Sequence, residues 1–556
     1  MSTSVIAATR APRPRWQHAL FAVALAGLLA AILFTGPVPQ VQYASDVFNF
    51  LDGAYRQYSG QVIHRDFFSP LGGVAFLPFS LAMQATGPTV QALPLGVALC
   101  TALLAPWAWL LAGPRLGAWS ATAFTLLTGL LAAGTYALDF GAWDAPSYAM
   151  YYNRFAWALL GLLALECLAP RATGGRVADR RAGASSGIAL AALLLVKFNF
   201  FAAGVGLVAC SPLVLRHSRD RWLALVIGFL LAVALLAWAA SIDLAGYARE
   251  IAGLARSPSG NLYVEVLARI LTDNRAWLVA GGILVACLLA EARTAIPAAR
   301  PNFFRAVAAF LLIAGAGLAV SVTNCQFTEL PTFPLALLVL AALLPQLTAS
   351  KLGAALGLAG VILTVLFALP HGGMVARALA RRVMVPATAT ANGLHLAPPG
   401  VAALGLRPWP DEPGGPDAGE TLARQREVSP RAFGEWLQDG LSLLAPRVNA
   451  TSRVVSLDWG NPLSFSLGLP PVPGDHIAWH YGRVLGDTWH PDARALASRA
   501  DFIMEPRLGL QPDSTAFKRR LFGPMLQESF AVAATSRYWT LWQRRPALVA
   551  ATPPSP

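Results

Sequence analysis

Charge is what this sequence has least of. Of its 556 residues only 13% are Asp, Glu, Lys or Arg, against 56% that are hydrophobic, a balance that water-soluble chains of this size rarely show. With a mean hydropathy of +0.53, it reads as a membrane protein of several spans. Negative charge is the scarcer sign: 29 acidic residues against 42 basic ones leave a formal charge of +13. The surplus is mostly Arg in short loops between apolar runs, where it sets orientation in a bilayer, so nucleic acid is a poor explanation of it. Cysteine is also sparse. Cys100, Cys167, Cys210, Cys287 and Cys325 all lie in or beside apolar segments, with no CxxC pair, so neither a disulfide framework nor a zinc site is implied. Ionisable residues well inside the apolar runs are nearly absent, which argues against a proton-coupled or ion-coupled transporter.

What is present is a series of long apolar runs. Arg10, Arg13 and Arg15 precede the first, residues 17–35, which reads as an uncleaved span rather than a signal peptide. Others follow at 91–112, 116–134, 155–169, 186–215, 222–240, 276–290, 304–322, 333–345 and 352–369. The run 186–215 is long enough to cross twice, with a tight turn near Lys197, while 71–88 reads as an interfacial or half-inserted piece. About eleven spans result, with the N-terminus cytoplasmic. Inner segments then hold fifteen Lys and Arg and outer loops seven, the expected bias.

Residues 1–370 are thus expected to form a transmembrane domain, with a first outer loop at 36–90 and a second at 135–154. Residues 371–428 read as an interfacial segment and a Pro/Gly-rich linker, "LRPWPDEPGGPDAGE". Residues 429–556 read as an α/β domain outside the membrane: "FGEWLQDGLSLL" has helical spacing, and "SRVVSLDW", "ADFIMEP" and "YWTLWQ" read as strands. The fold class is an α-helical polytopic membrane protein with a C-terminal extracytoplasmic α/β domain.

The residues that could carry chemistry sit at the outer ends. In "SDVFNFLDGAYRQYSGQVIHRDFFSPLGG", residues 45–73, Ser45 is a candidate N-cap, and Val47, Phe50, Leu51, Ala54 and Tyr58 make an apolar stripe. The helix is expected to lie flat on the outer surface. Asp46 then stands at its N-terminus, where the helix dipole keeps a carboxylate ionised, and Asn49, Asp52 and Arg56 line the polar side; the same pattern would serve a plain amphipathic loop. The second outer loop brings Asp139, Asp144, Tyr152 and Asn153 to the same side, although its aromatics also fit an interfacial belt. Lys197 in "LLLVKFNFF" lies at the outer turn, placed to bind an anion at headgroup level or simply to snorkel. Gln326 and Glu329 lie in "TNCQFTELPTF". The His64-x-Asp66 spacing is too common to imply a metal.

This order of features resembles the GT-C superfamily of integral-membrane glycosyltransferases, especially protein O-mannosyltransferases and lipid A aminoarabinose transferases. The matching pieces are "SDVFNFLDGAYRQYSGQ", "SPLGGVAFLPFSLAMQATG", "GTYALD", "LLLVKFNFF" and "ELPTFPL", covering residues 17 to about 345. The resemblance implies a bacterial inner-membrane enzyme that moves a sugar, with inversion, from a polyprenyl-phosphate donor to a lipid, glycan or protein acceptor on the outer face. Asp46 would be the general base and Asp139, or Asp144, a second carboxylate. Lys197, Arg56 and Arg65 are the candidates for holding the donor phosphate, and His64, Asp66, Tyr152, Asn153, Gln326 and Glu329 would contact substrate. No cofactor is called for, and metal dependence is left open. Glu329 stands where the aminoarabinose transferases carry a Lys before "LPTY", so the donor sugar is expected to differ. The rival class is a non-enzymatic scaffold or exporter for envelope assembly.

Overall fold

The structure, a computed structural model, describes residues 14–38, 40, 43–135, 146–171, 175–254, 260–294, 300–324, 330–344, 351–384, 430–507 and 509–546. Helices dominate the first of two regions: α1 (Arg15–Thr35), α2 (Ala44–Tyr58), α3 (Leu77–Thr86), α4 (Ala92–Ala112), α5 (Ala118–Ala133), α6 (Tyr151–Leu168), α7 (Arg176–Val196), α8 (Phe198–Cys210), α9 (Arg219–Ala239), α10 (Leu244–Leu254), α11 (Gly260–Asp273), α12 (Arg275–Thr294), α13 (Arg300–Asn324), α14 (Thr332–Leu343) and α15 (Lys351–Met384). Each apolar run is mainly helical over its described residues, and the run 186–215 breaks into two helices at Lys197. Among the described residues, α1, α4, α9, α13 and α15 are long and apolar enough to cross a bilayer. Tyr263–Asp273 and Leu278–Arg293, bent by 75°, would together make a sixth span. The protein is a multi-span, mostly helical membrane protein.

The last of these helices runs past its expected end. Residues 371–384, the start of the stretch read as an interfacial segment and linker, continue α15 through Pro370. A proline within a membrane-type helix is tolerated where neighbours satisfy the freed carbonyl, and α15 packs along α14 and α5.

The C-terminal region is mixed. It comprises α16 (Pro430–Leu444), β2 (Val454–Ser456), α17 (Pro462–Leu467), β3 (Asp475–His476), α18 (Ala493–Arg499), β4 (Phe502–Pro506), α19 (Pro512–Ser529), β5 (Phe530–Thr535) and β6 (Trp539–Arg544). Four strands form one sheet in the order β2-β4-β6-β5, with β2 parallel to β4 and the other pairs antiparallel. The expected α16, β2, β4 and β6 are present. Strand β5 and the helices α17, α18 and α19 between the strands carry no clear signal in the sequence.

The largest departure concerns α2. Its apolar stripe is as expected, but the helix does not lie on a surface with a wet polar side. Every residue from Ala44 to Arg56 except Asp46 is buried. Phe50 packs on Phe76 and Phe79, at centroid distances of 5.5 and 4.7 Å, while Phe48 packs on Phe433 and Phe465 of the C-terminal region, at 5.4 and 6.4 Å. The helix is therefore clamped between the membrane bundle and the C-terminal region. Nor does Ser45 cap it: Tyr43 is the N-cap, in the left-handed conformation, with no side-chain cap bond.

The two regions are joined by hydrogen bonds as well as apolar contact. The short strand β1 (Phe67–Phe68) of the first outer loop pairs in parallel with β3. Gln61 donates to Pro471 O at 2.8 Å and Tyr55 to Leu469 O at 3.2 Å. At the centre, fully buried Arg56 donates to Asp52 at 2.8 Å and to Val472 O at 2.8 Å, and lies 3.5 Å from Asp475. Removing that guanidinium strands two buried carboxylates, so Arg56→Ala should destabilise the docked state by about 3–5 kcal/mol. Denaturant titration and limited proteolysis of the detergent-solubilised chain would measure this; a loss under about 1 kcal/mol would mean that the ion cluster does not hold the regions together.

Candidate active site

Several polar residues converge where α7 gives way to α8. Lys197 takes extended φ/ψ values and serves as the N-cap of α8. Its ammonium donates to Asn153 Oδ1 at 3.2 Å and sits 4.9 Å from the centre of the Tyr152 ring. Asn153 and Tyr152 belong to the first turn of α6. Thus the positive ends of two helices, α6 and α8, meet beside a lysine. Asn199, in the first turn of α8, donates to Asn324 Oδ1 at 2.7 Å and to Thr323 Oγ1 at 2.9 Å, which brings the end of α13 to the same place. Sequence reasoning missed Asn199 and Asn324, since a lone Asn next to an apolar run looks like ordinary helix capping.

The first outer loop reaches this point too. Gly72 N donates to Val196 O at 3.0 Å, and a Cβ on Gly72 would collide with the Leu195 carbonyl. The "SPLGG" turn thus carries glycine where the loop backbone lies directly on the end of α7. Leading into α2, Gln40 Oε1 accepts from Tyr148 N at 2.8 Å and Val38 N donates to Tyr148 Oη at 3.4 Å. Ser147 N donates to Thr135 O at 2.8 Å, so the two flanks of the second outer loop meet next to the segment that starts α2. Asp139 and Asp144, between those flanks, lie outside the described residues, as do Gln326 and Glu329.

Asp46 stands in the first turn of α2, half-buried. One helical turn on, at the i+4 position that shares its face, is Phe50. The Phe50 ring lies 6.1 Å from the Tyr152 ring, whose face carries Lys197. The chain Asp46, Phe50, Tyr152, Lys197 therefore joins the N-terminus of α2 to the α7/α8 break. Ring contacts thus lead from α2 through Phe50 and Tyr152 to Lys197.

The other expected residues are engaged elsewhere. Arg56, expected at the donor phosphate, is instead enclosed with Asp52 and Asp475; it is ten residues along α2 from Asp46, about 15 Å of helix. Burial pushes Asp52 upward and Arg56 opposes it. Arg65 is exposed and pairs with Asp66 at 2.8 Å, and that hydrogen bond, more than any other effect, holds the Asp66 carboxyl below its usual range. His64 is buried, lies tilted against the Tyr247 ring at a centroid distance of 4.6 Å and pairs through Nδ1 with Glu250 of α10. Burial raises Glu250, with His64 opposing. His64 and Glu250 thus fasten the first outer loop to α10, helped by Ser69 N donating to Glu250 at 3.2 Å. Among the described residues no group of three or more His, Cys, Asp or Glu could hold a metal ion.

No family model matches this chain, and no curated protein does. Solved structures do. The crystal structure of ArnT from Cupriavidus metallidurans bound to undecaprenyl phosphate is 13% identical, covering 96% of this chain and 99% of that one, with a TM-score of 0.42. The apo structure of the same protein is 14% identical, covering 95% and 98%, also with a TM-score of 0.42. The chain is similar to ArnT along nearly its whole length.

Behind the Arg56 cluster the C-terminal region holds further buried polar residues. Asp475 accepts from Trp479 Nε1 at 2.8 Å, and Lys518, 4.4 Å from the Trp479 ring, donates to Asp458 O at 3.0 Å. Burial lowers Lys518 to about 8 despite Asp475 and Asp458 nearby. Burial also lowers His476, whose Nδ1 accepts from Ala478 N, from the usual 6.5 to about 3. An unfolded His476 takes up a proton near pH 6.5 and the folded one only near pH 3. Its contribution is therefore complete above 6.5 and lost as pH falls between those values. The stability of the native chain minus that of His476→Asn should drop by about 1.4 kcal/mol per pH unit below 6.5, read from denaturant midpoints; a flat difference would refute the assignment.

Proposed function

We propose that this chain is an integral-membrane glycosyltransferase. It moves a sugar from a polyprenyl-phosphate donor to a lipid, glycan or protein acceptor on the membrane face that carries the C-terminal region. What supports this reading is the run of ring contacts from α2, the helix that opens with Asp46, through Phe50 and Tyr152 to Lys197, where apolar helices end. A donor anchored by its tail presents its phosphate at that depth. The motif order read from the sequence points to the same chemistry, and the periplasmic face of a bacterial inner membrane is the corresponding location.

In this reading the acceptor oxygen attacks the sugar's anomeric carbon from the side opposite the phosphate, giving inversion. Asp46 takes the proton from the acceptor hydroxyl as the new carbon–oxygen bond forms. The bond from the anomeric carbon to the phosphate oxygen breaks, and its electron pair leaves with the polyprenyl phosphate. That phosphate gains negative charge in the transition state. Lys197 and the N-terminal ends of α6 and α8 supply fixed positive charge to receive it. Asn153 and Tyr152 hold the ammonium in place through the 3.2 Å hydrogen bond and the ring face. Asp139, or Asp144, orients the acceptor, and Gln326 and Glu329 contact the sugar.

A general base and a phosphate clamp fail differently when removed. Asp46→Asn should abolish transfer of a labelled sugar from polyprenyl-phosphate donor to the membrane fraction, with a fall of at least about 10²-fold. Lys197→Gln should lower the same rate by about 10²-fold, and both variants should keep wild-type yield and elution. Full transfer by both variants would remove the proposed site. Absence of any transfer by the native chain, with envelope assembly still dependent on it, would favour the scaffold or exporter reading.

A further inference from the structure

A second feature lies at the opposite end of α7. From Arg176 to Val196 the helix extends about 30 Å, so its first turn is roughly a bilayer thickness away from Lys197. There α7 packs against α9 with unusually close backbones. Gly183 abuts the Arg221 carbonyl, Gly187 the Leu225 carbonyl, and Gly228 the backbone of Ala184; a Cβ at any of the three would clash. Because the axes approach so closely, the side chains on the outer face diverge and leave a groove between the helices.

That groove has a volume of about 660 Å³ and is lined by apolar side chains, among them Ile188, Leu223, Ile227, Leu231 and Leu235. Its far wall is outward-facing: Leu223, Leu231 and Leu235 are each more than 60% exposed. The charged residues in its lining are Arg180, one turn into α7, and Asp220, in the first turn of α9, at the same end. Arg176 Nε lies 3.2 Å and Arg180 Nη2 3.6 Å from the two Asp220 oxygens. Two guanidiniums share one carboxylate there, leaving a net positive charge and unused N–H donors on largely exposed side chains. The first turn of α9, begun by the Ser218 cap, adds its positive dipole end at the same spot.

A long apolar trough in a membrane protein, closed at one end by two arginines at headgroup depth, has the shape and charge of an anionic phospholipid. We infer that the α7/α9 groove is a binding site for such a lipid, its phosphate on Arg176 and Arg180 and one acyl chain along Leu223, Ile227 and Leu231. A zwitterionic lipid offers the same chain but adds a cation beside the arginines, so the site discriminates by headgroup charge. The site is separate from the Lys197 neighbourhood and does not rest on the transferase reading.

The test uses the full chain in detergent, with phosphatidylglycerol and phosphatidylcholine carrying identical acyl chains, followed by native mass spectrometry. Phosphatidylglycerol should be retained at least roughly tenfold better than phosphatidylcholine, and Arg176→Gln with Arg180→Gln should remove that preference. Arg249→Gln, at an exposed arginine outside the groove, should keep it. Leu231→Trp, which fills the trough and leaves both arginines in place, should lower retention of both lipids. A photoreactive acyl chain should label residues 220–236. Equal retention of the two lipids by the native chain, unchanged preference in the double variant, or cross-linking of this face to a second copy of the chain would each overturn the site.

Discussion

The buried guanidinium of Arg56 is the contact on which this architecture depends. A cation with no water around it is tolerable only among carboxylates and carbonyls, and here they come from both sides: Asp52 from its own helix, Asp475 and Val472 O from a segment more than four hundred residues later. That arrangement determines which face of α2 meets the C-terminal region. The opposite face, through Phe50, is left to meet the bundle. Once α2 is held on two sides, its N-terminus and Asp46 have a defined position relative to α6 and to the break at Lys197.

Helix ends make the chemistry of that neighbourhood. The interiors of the spans carry few ionisable groups, so the available charge is concentrated where helices start and stop. Lys197 interrupts an apolar run that would otherwise continue as one helix, and the interruption exposes the first turn of α8 next to the first turn of α6. A hydrophobic surrounding strengthens each of these partial charges. The other end of α7 uses the same elements differently: there the arginines are solvent-facing and shared with Asp220, and tight glycine packing leaves a trough instead of a cleft.

Parts of this organisation were legible in the residues. Scarcity of charge identified a membrane protein, the lengths of the apolar runs located its helices, and Lys197 inside the run 186–215 marked a turn, because an uncompensated lysine in mid-bilayer is costly. The strands around Val454, Phe502 and Trp539 followed from alternation. Asp46 was legible as a first-turn carboxylate. The roles of Arg56 and His64 were not. Periodicity says which side of α2 is polar, but not that a distant domain covers it; a buried ion cluster and a wet surface have the same residues. His64 was similarly ambiguous, since its partner Glu250 is 186 positions away and nothing local to either marks the pair.

The sequence by itself determined that the chain enters the membrane, roughly where each helix runs, and which polar residues stand at helix ends, because hydropathy and period act over neighbouring positions. Only the tertiary structure decided that α2 is enclosed rather than spread on a surface, that Arg56 holds two regions together, and that Phe50 of α2 meets the Tyr152 ring beside Lys197. Those outcomes depend on pairing of charges and rings across hundreds of residues, and such pairing leaves no trace in the local pattern of either partner.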